Sequence, residues 1–246
     1  MFVHYRTQGI VLKKTNRGED NQLFSFYTKD FGKIEVLGRA IRKISSKLRS
    51  ATEIFYYSEI EFIQAKRHKT LTDAILIEKF ANLRKDLLKL KMAHKITEVL
   101  NDLMIAPEKD EKVWSLLLYT LKKINEKDFS QNELRLQYYY FLWNLFLELG
   151  YLPELHNCPV CHKKLQPEYI SFAPIEGGIT CQPCSQKIKE RKEISVNTVK
   201  ILRILTKGKE SLVSKLKITP SNLKELKTIS DYFLKEITLG VVKHSL

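Results

Sequence analysis

The hydrophobic pattern of this chain changes period once, near residue 80. Before that point apolar and polar positions alternate, as on a strand; after it, apolar side chains recur at three- and four-residue spacing, as on a helix. Residues 9–12 are apolar and β-branched, and residues 23–28 are apolar and aromatic, ending at the turn signal Asp30-Phe31-Gly32-Lys33. Ile34, Val36, Gly38 and Ala40 then alternate with Lys33, Glu35, Leu37 and Arg39, which predicts a half-buried strand. Residues 54–62 predict a fourth strand, with Ser58, Ile60 and Phe62 opposite Glu59 and Glu61. Residues 70–77 predict a fifth, with Leu71, Asp73, Ile75 and Ile77 on one side. Five short strands in some eighty residues suit a small closed barrel, of which the oligonucleotide-binding (OB) barrel is the common case.

Beyond residue 80, Leu83, Leu87, Leu90, His94 and Val99, with Met92, Ile96, Leu100 and Leu103, trace a helical stripe up to Pro107. His94 lies beside that stripe and reads as a packing histidine rather than a ligand. A second helix is predicted over about residues 112–124. The third opens on the capping box Ser130-x-x-Glu133, runs through the aromatic block 138–143 and stops at Gly150. An aromatic stripe at helical spacing is core, so this helix is expected at the centre of a helical domain. Further on, Ser195 caps a helix that stops near Gly208, and Thr219-Pro220 opens a last helix closing at Gly240. The expected class is therefore α+β: a five-stranded OB-fold barrel over residues 1–80, then an all-α domain over 81–246 with an insertion at about 155–190.

That insertion holds all four cysteines of the chain. Cys158-Pro159-Val160-Cys161 and Cys181-Gln182-Pro183-Cys184 form two Cys-x-x-Cys pairs separated by nineteen residues, the spacing of a zinc ribbon. The linker carries Phe172 and Gly177-Gly178, with Tyr169, Ser171, Ala173 and Ile179 at alternating positions, which predicts a short hairpin folding the second pair onto the first. Two disulfides would require an oxidising compartment. A redox pair would explain one Cys-x-x-Cys and not the other. One structural Zn²⁺ held by Cys158, Cys161, Cys181 and Cys184 is the reading the spacing favours. His162, directly after Cys161, can compete as a ligand, but with four thiolates present it is expected beside the shell or in solvent. Four protein ligands close the site, which then holds structure and leaves no open position for catalysis.

Charge adds a second theme. Lys and Arg number 42 against 28 Asp and Glu, a formal net charge of +14 that points to a polyanion or an acidic partner. Arg39, Arg42, Lys43, Lys47 and Arg49 crowd one barrel connection, with no acid between Gly38 and Thr52. Lys66, Arg67 and Lys69 cluster before the fifth strand. These eight are the expected phosphate contacts, with Phe24, Phe26, Tyr27, Phe55, Tyr56 and Tyr57 as stacking candidates, about half of which must point into the barrel. A solvated lysine-rich surface is the plain alternative. Residues 200–217 carry six more basic side chains against Glu210 alone, a continuation of such a path, a seat for an acidic partner peptide, or a solvated face.

The longest uncharged run, residues 136–147, is too short to span a membrane. Nothing at the N-terminus reads as a secretory signal, so a cytoplasmic protein is expected. Phosphate-loop, dinucleotide, nucleophile-elbow and zinc-deaminase motifs are absent, so no enzyme is expected. Glu19-Asp20, beside Gly18, reads as a turn rather than a catalytic or Mg²⁺ pair. Two further functional readings stand beside DNA binding: a zinc-ribbon RNA-binding or transcription-associated module, and a scaffold that docks acidic protein tails.

Several short motifs then fall in one order: residues 9–12 (Gly-Ile-Val-Leu), Gly18-Glu19-Asp20, Tyr27-Thr28 with Phe31-Gly32-Lys33, Gly38 with Arg42-Lys43, and Ser46-Lys47-Leu48. They continue with Leu71-Thr72-Asp73-Ala74, Gly150-Tyr151-Leu152-Pro153, Cys158-x-x-Cys161 and Gly177-Gly178-x-x-Cys181-x-x-Cys184. Over nearly its full length the chain resembles the RecO family of bacterial recombinational-repair mediators. The resemblance implies a cytoplasmic, nucleoid-associated protein of double-strand-break and gap repair that binds single- and double-stranded DNA and anneals complementary strands. It further implies recognition of the acidic C-terminal tail of single-stranded-DNA-binding protein (SSB), and action with RecR to load RecA on coated DNA. One departure is His162, which stands where the family often has glycine; another is the abundance of lysine.

Overall fold

The computed structural model of the chain describes residues 3–64, 68–105, 107–207, 210–216 and 218–240. These divide into two compact units, Met1–Phe129 and Ser130–Leu246.

In the first unit, β1 (His4–Arg17), β2 (Asn21–Thr28), β3 (Gly32–Gly38), β4 (Tyr57–Gln64) and β5 (Lys69–Glu78) close into a barrel in the order β1-β2-β3-β5-β4. All neighbours are antiparallel except β3 and β5, which pair in parallel at Val36 with Lys69 and Leu37 with Thr70. This is the OB arrangement. β1 serves two partners because its register shifts between Val11 and Lys13: residues 4–10 pair with β4 and residues 9–17 with β2. Val11, Phe24, Phe26, Ile34, Val36, Ile41, Ile60, Phe62 and Leu71 fill the interior.

Helices cover part of the outside. α1 (Ala81–Lys85) and α2 (Leu87–Leu103) are separate, because Asp86 is extended and its carboxylate accepts the Leu88 and Lys89 amides, starting a new helix. The expectation of one continuous stripe from residue 81 is corrected there, and Leu87 lies exposed. α3 (Glu111–Glu126) is capped by Asp110 in the same way. Asn101, on α2, receives Ser25 Oγ at its side chain, and its carbonyl accepts from the Lys33 ammonium. Trp114, on α3, packs against Tyr27 and Tyr57 with ring centroids 6.5 and 5.9 Å away. Residues 24–28 are consequently buried on both faces: Phe24 and Phe26 by the barrel, Ser25 and Tyr27 by helices.

Two other strand expectations shift. The fourth strand begins at Tyr57 rather than residue 54, because Phe55 takes a left-handed φ of 69° while its amide donates to the Val11 carbonyl at 2.9 Å. On β5, register shifts against β4 break the alternation, so Leu71 is buried while Ile75 and Ile77 face solvent. Ala40 has left β3 for a turn at φ 49°.

In the second unit α4 (Gln131–Glu148) is buried on all sides from Leu136 to Phe146, and both hydrogen bonds of the Ser130/Glu133 capping box are present. It lies against α6 (Val196–Thr206), which lies against α8 (Pro220–Thr238). Trp143 sits fully buried, its indole N–H donating to Ser230 Oγ at 2.9 Å and its ring stacked on Phe233 at 5.4 Å. The Asn144 amide reaches across to the Leu205 carbonyl at 3.0 Å, tying α4 to the end of α6. Between α4 and α6 run β6 (Ser171–Ala173), β7 (Gly178–Thr180), the short α5 (Gln182–Ser185) and β8 (Lys192–Glu193), in a sheet ordered β7-β6-β8. A short α7 (Glu210–Val213) precedes α8. Among the described residues no helix is long and apolar enough to cross a membrane.

Candidate metal centre and cationic barrel loop

The candidate metal centre is built by two glycines and a glutamate. Gly150, at φ 77°, ends α4. Four residues later Glu154 pairs in parallel with Gly178: its amide donates to Gly177 O at 2.7 Å and its carbonyl accepts from Ile179 at 2.9 Å. The two backbones approach so closely that a Cβ on Gly178 would overlap the Glu154 carbonyl. The Glu154 carboxylate then accepts the amides of His156 and Asn157, turning the chain into the first cysteine pair. The Leu155 carbonyl is held from α6 by the Arg203 guanidinium. Cys158 N–H donates to Lys163 O and His162 N–H to Cys158 O, each at 2.8 Å, closing the knuckle. Cys181 caps α5, and the Ser185 amide donates to its carbonyl.

Together these turns bring the sulfurs of Cys158, Cys161, Cys181 and Cys184 within 4.8 Å of one another, with Cys161 and Cys181 at 3.7 Å. None is bonded to another. A tetrahedral thiolate shell with metal–sulfur bonds of about 2.3 Å separates its sulfurs by about 3.8 Å, so the donor set fits a tetracoordinate ion. Burial pushes the Cys158 thiol up, but the amides of Cys181, Cys161 and Val160 outweigh it and hold it at about 6. Cys184 is pushed up to about 12, first by its hydrogen bond to Cys181 and then by burial. One thiolate forms readily and the last does not; a bound cation would let all four ionise. His162 is outside this cluster of ligands: its side chain is exposed, and its backbone sits at a left-handed φ of 61°. That geometry is the physical reason glycine suits the position.

The cationic residues lie in the other unit. Residues 39–56 connect β3 to β4, and their first half is tied to the β1–β2 turn. The Ala40 amide donates to Asn21 Oδ1 at 2.9 Å, the Arg42 amide to Asp20 O at 3.0 Å, and the Arg42 guanidinium to Glu19 O at 2.7 Å. Lys43 Nζ stands 3.4 Å from the Asp20 carboxylate. Glu19-Asp20 is thus a turn that anchors the basic loop. Ile41 locks the same segment from inside, buried in the barrel core. Arg39, Arg42, Lys43, Lys47 and Arg49 are all exposed, the last two on a 3-10 turn over Lys47–Ala51. Lys69, half-buried, opens β5 beside Val36; Lys66 and Arg67 lie outside the described residues.

The aromatic expectation is corrected. Phe24, Phe26, Tyr27, Phe55 and Tyr57 are all buried: Phe24 and Phe26 point into the barrel, Trp114 of α3 covers Tyr27 and Tyr57, and the 54–56 turn folds Phe55 inward. Of the six, Tyr56 alone keeps an accessible ring, and the Arg84 guanidinium sits over it at 5.0 Å. Arg84, absent from the sequence reading, also donates to Ile54 O at 2.8 Å. His94 is exposed and meets the Phe55 ring edge-on at 4.7 Å, a packing role.

A closed OB barrel, together with a helical unit that carries a four-thiol ribbon, defines the class of this protein. Residues 1–80 match the family model "Recombination protein O N terminal" and residues 84–244 match "Recombination protein O C terminal". A protein of Dehalococcoides mccartyi named DNA repair protein RecO is 35% identical over 222 residues, covering 90% of this chain and 86% of that protein. Proteins of the same name from a Thermoanaerobacter species and Acetivibrio thermocellus are each 27% identical, over 94% and 95% of the chain and 91% of each relative. The chain belongs to the RecO family, and these relatives are named for DNA repair.

Proposed function

We propose that this chain is a DNA-binding recombination mediator of double-strand-break and gap repair, without catalytic activity of its own. It binds single- and double-stranded DNA through Arg39, Arg42, Lys43, Lys47 and Arg49, with Lys66, Arg67 and Lys69 extending the contact. The observation that carries this reading is the acid-free, exposed 39–49 loop, fixed in place by the β1–β2 turn. Phosphate contacts of this kind position a strand without reading its sequence. Two polyanions held on one cationic surface repel each other less, and their base edges remain free to pair, so annealing follows from the same contacts. The four cysteines hold one Zn²⁺ as a structural ion, as their spacing and thiolate chemistry favour. As family membership suggests, the partners are RecR, the acidic C-terminal tail of SSB and, indirectly, RecA, in the cytoplasm at the nucleoid.

Annealing tests the proposal. Two complementary labelled strands, each coated with SSB, are mixed with and without this protein. Acceleration that disappears when the acidic tail is removed is the expected result. Unchanged annealing, despite binding to bare strands, would reduce the protein to a generic nucleic-acid module. For the ion, the expected metal content is one zinc per chain, lost in Cys184→Ser; a zinc-free protein with unaltered melting would refute that assignment.

A further inference from the structure

Phosphate contacts leave Ile44, in the basic loop, without a role. Ile44 is 95% exposed, the most of any large apolar side chain among the described residues. It stands between Lys43 and Ser45 in a tight turn closed by the Ser46 amide on the Lys43 carbonyl at 3.0 Å. Three residues earlier Ile41 is buried in the barrel core, and the intervening Arg42 is held at both backbone and guanidinium by Asp20 and Glu19. Ile44 is therefore presented outward from a braced turn. Single exposed aliphatic residues are ordinary on protein surfaces. This one is flanked on both sides by exposed cations: Arg42 and Lys43 before it, Lys47 and Arg49 after it. The aromatics that would otherwise meet bases are buried in the same barrel, all but Tyr56.

We infer that Ile44 is an apolar wedge that inserts between neighbouring nucleobases while Arg42, Lys43, Lys47 and Arg49 hold the flanking phosphates. The inference rests on the DNA-binding reading above and adds a base contact to it. Aliphatic side chains inserted at a base step unstack it, and the opened step is paid for by burial of the side chain. Such a contact needs no particular base, in keeping with a surface that grips phosphates of any sequence. Unstacked bases held at a braced turn are also freer to meet a complementary strand. A lipid surface fits less well: one isoleucine offers far less apolar area than an amphipathic membrane anchor.

The test uses the full-length protein and oligonucleotides carrying 2-aminopurine, whose fluorescence rises on unstacking. At saturating wild-type protein a rise in fluorescence is expected, because the wedge unstacks the labelled step. Ile44→Ala removes the rise even at saturation and weakens single-strand binding about five-fold, while the slope of log K against log salt stays as in wild type. Ile44→Phe retains both the signal and the affinity. Equal melting temperatures of the three proteins confirm that the substitutions act at the surface. An Ile44→Ala protein with the wild-type fluorescence rise overturns the wedge while leaving phosphate binding intact. Loss of binding to phosphatidylglycerol vesicles in Ile44→Ala, with the DNA signal unchanged, overturns it in favour of a lipid contact. Absence of any oligonucleotide binding by wild type takes down the DNA-binding reading as well.

Discussion

Phe172 packs edge-on against Phe233, ring centroids 5.5 Å apart, so a strand of the cysteine ribbon supplies a side chain to the helical core. Trp143 stands 6.5 Å from the same Phe172 ring, and Phe146 completes the cluster from α4. The ribbon and the helical core therefore share one cluster of rings.

Phe172→Ala should cost about 3–5 kcal/mol, because the ring is fully buried and its neighbours are anchored on two helices. Differential scanning calorimetry should show the transition of the helical unit at lower temperature, with any ion held by the four thiols released in that same transition. A ribbon that loses its metal well before the helices melt would contradict this coupling.

Gly178→Ala should weaken metal retention more than Gly177→Ala. The first substitution forces Glu154 away from β7; the second meets no atom within 4 Å and pays only for its left-handed φ of 88°, about 1 kcal/mol. Competition with a chromogenic chelator reads the difference directly. Equal metal affinities in the two variants would show that the Glu154 pairing does not position the first cysteine pair.

For the basic loop, four phosphate contacts on single-stranded DNA predict a log K against log salt slope of roughly −3. Arg42→Ala with Lys43→Ala should bring it to about −1.5 and weaken all sequences alike. Titration at several salt concentrations measures the slope, and a salt-independent Kd would remove the electrostatic account.

Lys123 gives a pH signature. Its side chain is 5% exposed, with Tyr119 and Phe129 ring centroids 5.8 and 5.9 Å from Nζ. Burial, then repulsion from Lys127, lowers it from 10.5 to about 8. Between those values the unfolded chain binds the proton and the folded chain does not, so this residue makes stability rise with pH there. Below about 8 the penalty is constant. Lys123→Met should accordingly gain about 1–2 kcal/mol at pH 7 and flatten the difference in stability from pH 8 to 10. Urea melts across that range would show it; identical pH profiles for the two proteins would not fit.

The cysteine centre was legible because ligand spacing survives in a linear sequence, and so were the Ser130, Ser195 and Thr219 caps. Each of these is a local device. What stayed hidden depended on distant partners. The apolar run of β2 does not say that Tyr27 is covered by Trp114 rather than by a base. The Leu83, Leu87, Leu90 spacing continues straight through Asp86, where the chain starts a new helix. The cations of residues 39–49 were visible, but their bracing by Glu19, Asp20 and Asn21 joins segments that a pattern along the chain cannot bring together.

Gly32 sits at φ 59° in the β2–β3 turn, where a Cβ would overlap the backbone of Glu108 in the α2–α3 connection. The barrel's last strand ends at Glu78, yet the segment that seals this turn is made some thirty residues later. As the chain leaves the ribosome, the five strands emerge before their lid does. A nascent chain halted at the end of β5 would carry Ser25, Tyr27 and this turn bare to solvent, open to chaperones and proteases until α2 and α3 arrive.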